Sequence, residues 1–101
     1  MAELIWSERA ISDMENIFDY IAKDSPLYAQ LNSENIFKSI ERLQNFPESG
    51  RHLPEFRYLP HREVIVGKYR VVYRYDSNGD EIKIITVVHG SRLLTETAFT
   101  E

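Results

Sequence analysis

The chain contains no cysteine, which excludes a disulfide framework, a thiolate metal site and a thiol nucleophile. It has no apolar run near the roughly 20 residues needed to span a bilayer. No signal peptide is visible, because Glu3 and Glu8 interrupt the short apolar start. A Gly-rich phosphate loop, a His-Glu-x-x-His pair and a serine elbow are all missing. The three histidines, His52, His61 and His89, have no recognised metal spacing, so neither a metal nor a cofactor is expected. There are no repeats and no low-complexity tract. There is also no excess of positive charge. The net charge is −4, which argues against a generic nucleic-acid binder. A bacterial-style cytoplasmic protein with no membrane contact is the expectation.

What is present suits one packed domain. The chain has 101 residues, of which 43% are hydrophobic, enough for a single core. The organising stretch is Arg62 to Arg92. It holds three runs rich in Val, Ile and Tyr, broken by Gly67-Lys68 and by Asp76-Ser77-Asn78-Gly79-Asp80. The breaks predict a three-stranded antiparallel meander over Arg62–Val66, Tyr69–Tyr75 and Glu81–His89, with Asn78-Gly79 supplying a positive φ. In the middle strand, alternation puts Tyr69, Val71, Tyr73 and Tyr75 on one face and Arg70, Val72 and Arg74 on the other. The third strand is apolar on both faces, Ile82, Ile84 and Val88 against Ile85 and Val87. A central, doubly covered position follows.

Upstream, Glu3-Leu4-Ile5-Trp6 reads as an edge strand. Ser7 is placed to cap a helix from about Glu8 to Lys23, whose Ala10, Met14, Ile17 and Ile21 recur at helical spacing. Ser25 and Pro26 open a second helix, to about Asn45, with Ile36, Ile40 and Leu43 buried. The short link makes the two an antiparallel hairpin. The fold class is therefore α+β. An N-terminal strand (1–6) precedes a helical hairpin (8–46), a loop (47–61), the meander (62–89) and a tail (90–101), with the hairpin packed on a three- to four-stranded, mainly antiparallel sheet. The tail is expected to add a helical turn through Leu93, Leu94 and Ala98, or to fray.

Charge is unevenly spread. Arg51 to Tyr75 carries +4, with Glu55 and Glu63 as its only acids, while the remainder carries −8. This stretch reads either as a basic patch for an acidic partner or as ordinary protected strand edges. Arg51, Arg62, Arg70, Arg92 and His89 lie on loops and strand ends. Arginine holds phosphates bidentately and histidine exchanges a proton near neutral pH, which is sufficient equipment for metal-free RNA cleavage. The competing reading makes His89 a structural strand-end residue and pairs Arg70 with an acid such as Glu63 across the hairpin.

Four segments in order, WSERAISDMENIFDYIAKDSP, FPESGRHLPE, REVIVGKYRVVYRY and VVHGSR, resemble the ParE branch of the RelE/ParE toxin superfamily. The likeness runs from about Ile5 to Arg92. It implies a helical hairpin on a small, mainly antiparallel sheet. It also implies the toxin of a type II toxin–antitoxin pair, of the plasmid stabilisation kind, in a hetero-oligomer with its antitoxin. Contact with DNA would then be indirect, through the antitoxin. ParE-type toxins act on DNA gyrase, whereas RelE-type relatives cleave mRNA in the ribosome. In the nuclease branch an arginine of the YRxVY strand is catalytic, and Arg70 matches it; His89 and Arg92 would complete such a site. That branch also uses a tail tyrosine, and no tyrosine follows Tyr75 here; Phe99 is the nearest aromatic. This departure favours the gyrase branch, with no catalytic residue and with Arg51, Arg62, Arg70 and Arg92 as contacts to the target or the antitoxin. A third possibility is an antitoxin-binding module without toxicity.

Overall fold

The computed structural model describes residues 1–99, with Ala98 and Phe99 as backbone only. Strand β1 (Glu3–Trp6) leads into helices α1 (Glu8–Ala22) and α2 (Pro26–Leu43). Strands β2 (Arg51–His52), β3 (Arg62–Val66), β4 (Tyr69–Asp76) and β5 (Glu81–His89) follow, then a 3-10 turn, Glu96–Phe99. That turn includes Ala98 but begins after Leu93 and Leu94, through which the sequence reading also ran its helical turn. Residues 100–101 of the tail lie outside the described residues, as do the side chains of Ala98 and Phe99.

The helices start where the sequence places their caps. Ser7 accepts from the Ala10 N–H and Ser25 from the Tyr28 N–H, each satisfying a donor that helix geometry leaves free. Ser7 also donates to the Ile85 carbonyl at 2.7 Å, so the α1 cap is bonded directly to the sheet.

The sheet has five strands in the order β1-β5-β4-β3-β2. The meander pairs antiparallel, and β1 joins β5 in parallel. The fifth strand, β2, is a two-residue ladder opposite Arg62 and Glu63, within what the sequence reads as loop. Two residues are too few to show alternation.

Both turns hold a residue in the left-handed region. In the two-residue β3–β4 turn it is Gly67, at φ 58°. In the β4–β5 turn it is Asp80, at φ 49°, not Asn78 or Gly79. Asp76 accepts from the Asn78 N–H at 3.0 Å, and the Tyr75 hydroxyl holds the Asp80 carboxylate at 2.9 Å. The four-residue loop thus puts its reversal one position later than a two-residue Asn-Gly turn would.

One expected register is corrected. Val72 pairs with Thr86 but Tyr73 pairs with Ile84, which leaves Ile85 as an extra, bulged residue on β5. The bulge inverts the facing beyond it. Val87 joins Ile82 and Ile84 in the helix-covered core, with Tyr69, Val71, Tyr73, Met14, Ile36 and Ile40. Val88 joins Ile85, Val72, Leu53 and Leu94 on the other side. β5 is covered on both faces, by the hairpin on one and by the 53–56 loop and tail on the other. Each fully buried aliphatic side chain contributes roughly 1.5–3 kcal/mol.

Candidate functional site

The sheet face away from the hairpin carries a charged cluster built around Arg70. Arg70, the second residue of β4, is 5% exposed. A guanidinium there needs acceptors, because an unpaired buried charge costs several kcal/mol. Its Nε donates to Glu63 Oε1 at 2.6 Å. Its Nη1 and Nη2 donate to the two oxygens of Glu55 at 2.7 and 2.8 Å, a bidentate fork. Nη1 also donates to the Arg92 carbonyl at 3.0 Å.

Glu63 is placed by strand pairing: it sits on β3 directly opposite Arg51 on β2, and its Oε2 accepts from Arg51 Nε at 2.6 Å. Glu55 comes from the loop after β2 and also accepts from the Leu94 N–H at 3.0 Å. One carboxylate therefore ties the loop, the central strand and the tail together. The Arg70 hydrogen bonds hold the Glu55 carboxyl at about 2, well under its usual 4.5. Reciprocally, Glu55 and then Glu63 raise the Arg70 guanidinium further above its usual range. Arg51, Arg70, Glu55 and Glu63 together carry no net charge.

Beside this cluster lies a shallow cleft of about 310 Å³, lined by residues including Arg51, Ile65, Arg70 and Leu93. Arg62 is a loop staple: its Nη1 donates to the Gly50 carbonyl at 2.9 Å and the Glu48 carbonyl at 3.3 Å. Its Nη2 lies 3.7 Å from Glu48 Oε2. Arg92 gives its carbonyl to Arg70, while its exposed side chain lines a different cleft with Arg9, Asp13 and Thr86.

His89 is not with them. It pairs across the ladder with Tyr69, on the helix-covered side, and their rings meet edge to face at 5.6 Å. Its Nδ1 accepts from the Ser91 N–H at 3.1 Å and contacts the Ser91 hydroxyl at 2.7 Å. It lines a cleft of about 340 Å³ at the helical turn, with Tyr20, Tyr28, Tyr69 and Lys68. Arg70 and Tyr69 are consecutive on a strand, so Arg70 and His89 fall on opposite faces of the sheet. Among the described residues no group of three or more His, Cys, Asp or Glu could hold a metal ion.

Of the sequence candidates, the structure joins Arg51, Arg70 and the Arg92 backbone, and separates His89 from them. The Arg70–Glu63 pairing is present. Sequence reasoning passed over Glu55, although the signal was there: Glu55 and Glu63 are the two acids of the basic stretch, and both bind Arg70. It also passed over Asp13. That carboxylate accepts from the Val87 N–H at 3.0 Å and from the Thr86 hydroxyl, closing the β5 edge that β1 is too short to cover.

Comparison with known proteins agrees with this architecture. A curated relative, "Toxin RelE2" of Caulobacter vibrioides, is 32% identical over 93 residues, covering 92% of this chain and 100% of the relative. Among solved structures, the chromosomal ParDE toxin–antitoxin system of P. aeruginosa superposes with a TM-score of 0.69 at 22% identity, covering 88% of this chain and 96% of that one. The intact RelBE toxin–antitoxin complex of E. coli gives a TM-score of 0.64 at 18% identity, covering 91% and 100%. The profile described as the ParE toxin of the type II toxin-antitoxin system, parDE, matches residues 4–94. With that match over nine-tenths of its length, the chain belongs to the ParE toxin family of type II toxin–antitoxin systems.

Proposed function

We propose that this protein is the toxin half of a cytoplasmic toxin–antitoxin pair, that it acts by binding DNA gyrase rather than by catalysis, and that a cognate antitoxin neutralises it in a hetero-oligomer. The carrying observation is the fate of Arg70. Its guanidinium is committed to two carboxylates and a carbonyl, all within the chain. A nuclease needs that cation facing a scissile phosphate, with a proton carrier within hydrogen-bond reach. His89 lies across the sheet and does not meet that requirement. Arg70 reads better as the keystone that sets the loop and the tail. Of the other candidate contacts, Arg92 and the largely exposed Arg51 present surface to a partner, while Arg62 braces the loop. Plasmid stabilisation is the corresponding physiological role.

The test is a supercoiling assay with purified, folded toxin and gyrase. Inhibition that purified antitoxin relieves is the expected result; full supercoiling at large toxin excess rejects the target. The second reading, ribosome-dependent mRNA cleavage, is favoured by one observation, the RelE2 name of the 32% identical relative. Primer extension on translated mRNA separates the two, because cleavage at defined codons would support the nuclease. If expression of the chain alone arrests no growth, a non-toxic antitoxin-binding module is the remaining reading.

A further inference from the structure

Half of the cations of the basic stretch are spent internally: Arg51, Arg62 and Arg70 have carboxylate partners, while Arg57, Lys68 and Arg74 are exposed and in no ion pair with a described residue. Outside it Arg9, Arg42 and Arg92 have none among the described residues, and two of these share a cleft. Arg9, in the first turn of α1, and Arg92, after β5, are both exposed, and neither forms an ion pair with another described residue. They line one cleft of about 340 Å³ between α1 and the tail, which also includes Asp13, Thr86, Val88 and Leu94. The carboxylate there is already engaged: Asp13 accepts from Thr86 and the Val87 N–H. The rim carries Leu93, which is 77% exposed. Arginine is among the residues enriched at interface hot spots, and here two unpaired guanidiniums stand beside an apolar rim.

We propose that the Arg9–Arg92 cleft is a receptor for a carboxylate side chain of the antitoxin, with an adjacent apolar residue of that protein seated on Leu93. The inference rests on the antitoxin reading above and locates its charged contact. Charge decides the class of ligand. A single carboxylate needs only the two guanidiniums. A run of phosphates would also pass Glu8 and Glu96, which adjoin the lining residues, on a body of net charge −4. The sequence alone points the antitoxin at Arg51, Arg62, Arg70 and Arg92; the carboxylate pairing of the first three leaves Arg92, and the structure sets Arg9 beside it.

The experiment titrates full-length toxin with the protein encoded by the adjoining reading frame, between 50 and 500 mM NaCl, and separately with a single-stranded oligonucleotide. Arg9→Glu and Arg92→Glu are made singly and together, with Arg9→Gln/Arg92→Gln as a milder pair. Arg57→Glu is the exposed control, and circular dichroism checks folding. Charge reversal at both sites is expected to weaken antitoxin binding about 100-fold at low salt, each single change about 10-fold, with the gap narrowing at high salt. The Gln pair should fall between, and Arg57→Glu should match the unmodified chain. If the complex forms but all Arg9 and Arg92 variants bind as the unmodified chain does, the receptor assignment is overturned and the antitoxin reading stands. If the unmodified chain does not bind that protein at any salt, the antitoxin reading fails and the receptor with it. Oligonucleotide binding that these substitutions abolish, with antitoxin binding intact, overturns the choice of ligand.

Discussion

Glu55→Gln isolates the energetics of the charged cluster. The substitution preserves shape and one acceptor oxygen but removes the charge and turns an amide N–H₂ toward the Arg70 donors. The Glu55 side chain is 17% exposed and bonded at 2.7 and 2.8 Å to Arg70 and at 3.0 Å to the Leu94 N–H. A carboxyl held at about 2 instead of 4.5 stabilises the fold by about 3 kcal/mol, at about 1.4 kcal/mol per tenfold change in proton affinity. The folded value is depressed, so this contribution is complete above pH 4.5 and disappears as the pH falls through about 2. At pH 7 the variant should therefore lose about 2–4 kcal/mol, a fall in Tm on the order of 15 °C for a domain of this size. Urea unfolding between pH 7 and pH 2 provides the assay. The two proteins should differ most at neutral pH and converge at the acid end, because acid discharges Glu55 in the unmodified chain. A variant within about 0.5 kcal/mol of the unmodified chain at pH 7, or a gap of constant size down to pH 2, would refute the reasoning.

Three further perturbations probe the frame that carries the site. Gly50→Ala places a Cβ 2.6 Å from the Tyr73 hydroxyl and 2.7 Å from the Glu63 carbonyl oxygen. Backbone must move, and thermal melting should show a loss of about 1–3 kcal/mol. Tyr73→Phe removes a buried hydroxyl that donates to the Pro47 carbonyl and accepts from the Gly50 N–H. It should cost about 1–3 kcal/mol in denaturant unfolding, and unchanged stability would show that water replaces the hydroxyl. Asp13→Ala frees the β5 edge; hydrogen exchange should speed up at the Val87 amide while the Val71 amide keeps its protection.

The sequence by itself determined the elements that depend on neighbours along the chain. Caps at Ser7 and Ser25, helical spacing in α1 and α2, and the apolar runs of β3, β4 and β5 are each written within a few residues, so their boundaries fall almost where expected. Family membership was legible for the same reason, since it lay in four ordered segments. Tertiary structure decided whatever needed two distant partners. The bulge at Ile85 depends on how β5 sits against β4, and it sends Val87 and Val88 to the faces opposite those that simple alternation assigns. The candidate site divided along the same line. The Arg70–Glu63 pair could be anticipated because both lie on one hairpin. Glu55 reaches Arg70 only because a loop folds back over the sheet, and that bidentate bond is what supports the proposed structural role of Arg70. His89 was grouped with Arg70 because both are chemically suited to cleave RNA. Side-chain alternation on the paired strands put them on opposite faces, and no local pattern reports how far apart two groups end up across a sheet.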